Sequence, residues 1–181
     1  MRLLIIGATG GTGLQVTRQA VEGGHRVTAF VRSPQKLGSL RQRVVVREGD
    51  PRSVADLQDI LPGHDAVKST LGPAGVGPTT ILRAAAESTV AAMQAAGARR
   101  LLVVSAAVLF DDLGLAGKIL RRTLLRNVGD DSLEMERIVT ASALDWTHHH
   151  DLYGLTPQQF DAILGLPEPN PVPKPDRWKP S

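Results

Sequence analysis

The chain of 181 residues has no cysteine, which excludes disulfides, thiolate nucleophiles and cysteine-ligated metals. Aromatic residues are almost as scarce, at 3%, so the core must be aliphatic and few rings are available for stacking exposed bases. No apolar run reaches the roughly 20 residues that a bilayer-spanning helix needs. A dominant charge sign is missing too. The 21 Lys and Arg against 18 Asp and Glu leave a net charge of +3, which favours anionic ligands in general and is no nucleic-acid signature. The first residues carry one Arg and a short apolar run, unlike a signal peptide. These bounds predict one globular domain, cytoplasmic, without a nucleic-acid or membrane partner.

What is present is concentrated at the start. The apolar run Leu3-Leu4-Ile5-Ile6 leads directly into Gly7-Ala8-Thr9-Gly10-Gly11-Thr12-Gly13. A buried strand feeding a glycine-rich turn and then a helix is how a chain holds the pyrophosphate of a dinucleotide. Gly7 permits the tight turn, Gly10 leaves the backbone bare where phosphate approaches, and Gly13 allows the helix to pack on the sheet. The N–H groups and the positive dipole end of that helix then face the anion. The spacing is G-x-x-G-x-x-G, and glycines also punctuate ordinary turns, so context carries the reading.

That context continues along the chain. Strands are expected at Arg2–Ile6, Arg26–Val31, Arg43–Arg47 (an edge), Ala66–Leu71, Arg100–Ser105 and from Leu144 to Thr147. Helices are expected at Thr12–Gly23, from a Ser53 cap to Leu61, at Thr79–Ala96, Leu115–Leu125 and Asp131–Ser142. In the last of these, Leu133, Glu134, Arg137 and Ile138 are spaced for a half-buried face. Repeated βα units imply an α/β fold, a doubly wound parallel sheet of Rossmann type. A dinucleotide-binding domain over 1–147 is followed by a divergent segment, 148–181, that begins His148-His149-His150. It carries prolines at 167, 169, 171, 173, 175 and 180, and is expected to be partly disordered. Consecutive histidines point in different directions, so no metal site is assigned to them.

The cofactor is read at the end of the second strand. No Asp or Glu lies between Thr28 and Lys36, where an NAD binder places an acid against the ribose 2′-hydroxyl. Arg32, Ser33 and Lys36 instead form a cradle for a 2′-phosphate, which points to NADP(H). Asp50 follows the third strand in a Gly49-Asp50-Pro51 turn and is placed to accept from the adenine amino group. Leu71-Gly72 and Ser105 end the fourth and fifth strands, so all border one crevice.

These residues resemble the atypical short-chain dehydrogenases with N-terminal G-A-T-G-x-T-G, and within them the biliverdin-IXβ reductase/flavin reductase type. The resemblance rests on GATGGTG at 7–13, VTAFVRSPQKL at 27–37, GD at 49–50, LG at 71–72, GPTT at 77–80, AAMQAAG at 91–97, VVSA at 103–106 and LDWT at 144–147. It implies that Gly7, Thr9, Gly10, Gly11, Thr12 and Gly13 hold the pyrophosphate, Arg32, Ser33 and Lys36 the 2′-phosphate, and Asp50 with Pro51 the adenine. Leu71, Gly72 and Ser105 would flank the nicotinamide. The implied activity is hydride transfer from NADPH to a small-molecule acceptor, a flavin or an open-chain tetrapyrrole, by positioning more than by a protein acid. Ser105 would orient nicotinamide or substrate, since no adjacent base is visible to activate it.

The chain also departs from that pattern. The Tyr-x-x-x-Lys pair of ordinary short-chain dehydrogenases is absent, for the only tyrosine is Tyr153 and Pro157 stands four residues on. Ala74 replaces a usual basic residue. After Thr147 the family's Arg-Pro strand and substrate lobe are truncated or replaced. A second reading is therefore a catalytically silent NADP(H)-sensing module of the NmrA type that acts through a protein partner. A third is a remnant whose core still folds. The basic residues Lys118, Arg121, Arg122 and Arg126 read as a solvated helix face.

Overall fold

Apolar strands alternating with half-apolar helices produce a six-stranded parallel sheet in the computed structural model, which describes residues 1–73, 75, 77–105 and 126–149. The elements are β1 (Arg2–Ile6), α1 (Gly11–Glu22), β2 (Arg26–Val31), a 3₁₀ segment (Pro34–Gln42), β3 (Val45–Glu48), α2 (Val54–Ile60), β4 (Ala66–Ser69), α3 (Ile81–Ala96), β5 (Arg100–Val104), α4 (Arg126–Ala141) and β6 (Asp145–His149). The strand order is β3-β2-β1-β4-β5-β6. The chain winds outward from β1 in one direction, then crosses back and winds outward from β4 in the other. The reversal opens a crevice beyond the carboxyl ends of β1 and β4.

Both faces of the sheet are covered, which is why the central strands are apolar throughout rather than alternating. Leu4, Ile6, Val67, Leu101 and Val103 pack with Leu57, Leu82, Met93, Met135 and Val139 on the side of α2, α3 and α4. Leu3, Ile5, Ala29 and Leu102 pack with Val16 and Ala20 of α1 and Leu37 of the 3₁₀ segment on the other. Ser53 caps α2 as expected, accepting from the Asp56 N–H.

Three readings change in detail. In α4 the buried stripe is Val128, Asp131, Ser132, Met135 and Val139, while Arg137 is exposed and Glu134 only half-buried. The helix begins earlier than its apolar spacing implies and turns a charged residue inward. Residues 34–42, taken as a loop, form a 3₁₀ segment kinked at Gly38. β6 runs on to His149, pairing His148 with Val103, and the His148 ring stands edge-on to Trp146 at 4.9 Å. The expected helix over 115–125, Ala74, most of the basic helix face and the segment from residue 150 onward lie outside the described residues.

Candidate functional site

Gly7 leaves β1 with φ of +80°. A side chain there would meet the backbone of Thr70 and Leu71 at 3.1 Å. The glycine turn therefore lies directly against the exit of β4. A Cβ on Gly13 would fall 2.1 Å from the Gly7 carbonyl oxygen and 2.9 Å from Thr70 Oγ1, so only glycine lets α1 seat on the turn. Thr70 closes this corner by donating its hydroxyl to the Ile6 carbonyl at 2.9 Å.

Gly10 and Gly11 behave differently. The nearest neighbour to a Cβ on Gly10 would be 3.6 Å away, and Gly11 would meet nothing within 4 Å. Packing does not demand glycine at either position, so the space they keep clear lies outside the protein. Gly10 gives α1 no side-chain cap, and no acidic residue occupies its first turn. The polarised N–H groups are left for an anion at this end. The corner fits a dinucleotide pyrophosphate, and one bound there would meet backbone donors over bare glycines.

The rim continues over β2 and β3. Arg32 and Lys36 are exposed and Ser33 half-buried. A turn in which Lys36 N–H donates to the Ser33 carbonyl at 3.1 Å keeps the three together. Gly49 N–H donates to the Val31 carbonyl, which brings Asp50 beside Arg32. Asp50 is held by its own neighbour. Arg52 donates to it from Nε at 3.0 and 3.1 Å, from Nη2 at 2.6 Å and from its backbone N–H at 3.0 Å. These bonds, with a smaller contribution from the Arg32 charge, hold the Asp50 carboxyl down at about 2.

At the β4–β5 side, Leu71 and Gly72 lead away from the sheet and border the turn as expected. Ser105 ends β5 at 1% exposure, and its hydroxyl donates to the Glu136 carboxylate of α4. The absence of a neighbouring base is thus corrected, because α4 brings one across from 31 residues away. A carboxylate is too weak a base to ionise a serine hydroxyl, so the pair orients Ser105 rather than making it a nucleophile. One turn earlier on α4, buried Asp131 accepts from the Leu82 and Arg83 N–H groups, each at 3.0 Å, and so caps α3 from another helix. Lys68 in β4 is 2% exposed, and burial lowers its ammonium to about 8.

The structure gathers the glycine turn, Leu71, Arg32, Ser33, Lys36 and Asp50 along one edge. Reading the sequence missed Arg52, Glu136, Asp131 and Lys68. Arg52 was within reach, since an aspartate that accepts from the residue two positions on is a common turn signature. The other three have partners or surroundings far away in the chain.

Comparison with solved structures agrees with this architecture. A short-chain dehydrogenase/reductase from Veillonella parvula, in complex with NADP, is 19% identical, with 81% of this chain and 67% of that one covered at a TM-score of 0.67. An oxidoreductase from Lactococcus lactis is 18% identical, with 82% and 67% covered and a TM-score of 0.69. A Rossmann-fold NAD(P)-binding family protein from Shigella flexneri is 26% identical, with 81% and 64% covered and a TM-score of 0.60. The chain spans about two thirds of the length of these structures. No helix among the described residues is long and apolar enough to cross a membrane. Residues 7–149 match the model of a family described as NAD(P)H-binding. They take in the glycine turn and all six strands after its first residues, so the chain belongs to the NAD(P)H-binding family.

Proposed function

We propose that the protein is an NADP(H)-dependent oxidoreductase that takes hydride from NADPH to a planar small-molecule acceptor of the flavin or open-chain tetrapyrrole kind. The observation that carries this reading is the Gly7–Gly13 corner, where packing requires two glycines and two more keep open space above an uncapped helix end. Gly7, Thr9, Gly10, Gly11, Thr12 and Gly13 line the pyrophosphate. Arg32, Ser33 and Lys36 surround the ribose phosphate, with Arg32 and Lys36 supplying positive charge, and no carboxylate stands at the end of β2 to repel it. Asp50 and Pro51 border the adenine, and Leu71 and Gly72 the nicotinamide.

The bound nucleotide supplies the hydride. The chain's own contribution is to orient the nicotinamide end and keep water from it. Titration with NADPH followed by NADPH consumption with FMN tests this reading. Binding with flavin-dependent consumption is expected, and no binding would contradict it. The burial of Ser105 against Glu136 favours a second reading, a binding module that senses NADP(H) without turnover and signals to a protein partner. Tight NADPH binding with no consumption by any flavin selects that reading.

A further inference from the structure

The turn after β3 is built more firmly than an exposed loop needs to be. Asp50 N–H donates to Asp56 Oδ2 at 2.9 Å, Ser53 Oγ donates to Asp56 Oδ1 at 2.9 Å, and the Arg52 carbonyl accepts from Ser88 Oγ of α3 at 2.6 Å. Gly49 is wedged in, since a Cβ there would lie 2.4 Å from the Phe30 ring. The result is one side chain fixed in place, the Arg52 guanidinium, whose Nε–Nη2 edge is gripped by both oxygens of Asp50.

That grip has two consequences. Asp50 Oδ1 already accepts from Arg52 N–H and Nε, and Oδ2 from Nε and Nη2, so its acceptor capacity is taken up and none is directed at a base. Pro51 has no N–H to offer. Hydrogen bonding to the edge of an adenine is therefore absent from the two residues placed to provide it. What the turn does present, with the Arg52 side chain 54% exposed, is a planar cation held flat beside Arg32. A guanidinium immobilised through its edge offers its faces to a π system.

Resting on the NADP(H) reading above, we propose that Arg52, clamped by Asp50, is the platform on which the adenine ring stacks, and that this site takes a purine without reading its amino group. The low carboxyl of Asp50 keeps the clamp closed at neutral pH.

The test is equilibrium titration of the wild-type protein with NADPH and with its deaminated analogue, which carries hypoxanthine for adenine. Affinities within about threefold are expected, because stacking is tolerant of base identity. Arg52→Ala should weaken both nucleotides about fivefold, Arg52→Trp should restore them, and Arg52→Lys, which has charge without a plane, should not. A wild-type protein that binds the deaminated analogue tenfold more weakly reads the adenine edge, and the proposal falls while NADPH binding stands. Unchanged affinity in Arg52→Ala overturns it equally. If the wild-type protein binds neither nucleotide, the functional reading itself fails.

Discussion

The two halves of the crevice rim are wired differently. Around β1 to β3 the bonds are mostly short in sequence: Gly10 to Gly7, Lys36 to Ser33, Arg52 to Asp50, Asp50 to Asp56. Around β4 to β6 they span the chain: Ser105 to Glu136, Leu82 and Arg83 to Asp131, Arg100 to Asp145. The first half is a set of local turns that a fold can hardly avoid once the strands form. The second half exists only when α4 has docked on α3 and β5, so its side chains report tertiary packing. The half with local wiring carries the cofactor argument, and the half with long-range wiring surrounds the reacting end.

Breaking the first half should have the largest effect. Gly13→Val forces atoms into the Gly7 carbonyl and Thr70, so a loss of about 3 kcal/mol or more is expected in denaturant unfolding, with nucleotide binding abolished. Gly11→Ala meets open space. It should leave unfolding unchanged while weakening nucleotide binding, which separates packing from ligand clearance.

The second half can be sharpened through Lys68. Burial lowers its pKa from 10.5 to about 8. Between those values the unfolded chain holds more protons than the folded one, so stability rises with pH across that window. Below pH 8 both states are protonated and the burial cost is complete. Lys68→Met should therefore stabilise the protein by about 3 kcal/mol at neutral pH, and this advantage should shrink as pH climbs from 8 past 10. A pH-independent gain would show that volume rather than charge is responsible.

The docking of α4 is tested by Asp131→Ala, which strips the acceptor from two buried N–H groups at the start of α3. A loss of about 2 kcal/mol is expected in thermal or denaturant unfolding. Nucleotide affinity should change little, because the glycine turn does not depend on this contact.

The same division explains what was legible in the sequence. Strand positions, the glycine turn and the Ser53 cap rest on period, spacing and local hydrogen bonding, and the structure follows them to within a residue or two. The inward face of α4 was misjudged because Asp131, a charged residue, is buried to serve a helix about 50 positions earlier, and hydropathy spacing counts it as outward. Glu136 was invisible as a partner for Ser105 because no local pattern joins residues 31 apart. Lys68 reads as a polar interruption in β4, and only the closed sheet shows that it is buried. Arg52 is the one omission that local turn chemistry would have corrected.

The central claim is that Arg32 and its neighbours select a 2′-phosphate beside the glycine turn. Its most direct test is the ratio of dissociation constants for NADH and NADPH, measured on the wild-type protein and on Arg32→Glu. The account predicts that the wild type favours NADPH by about tenfold or more, as a charge-assisted phosphate contact implies, and that Arg32→Glu removes this preference with little change in NADH affinity. Equal affinity of the wild type for the two nucleotides, or an equal loss of both in the variant, would contradict it.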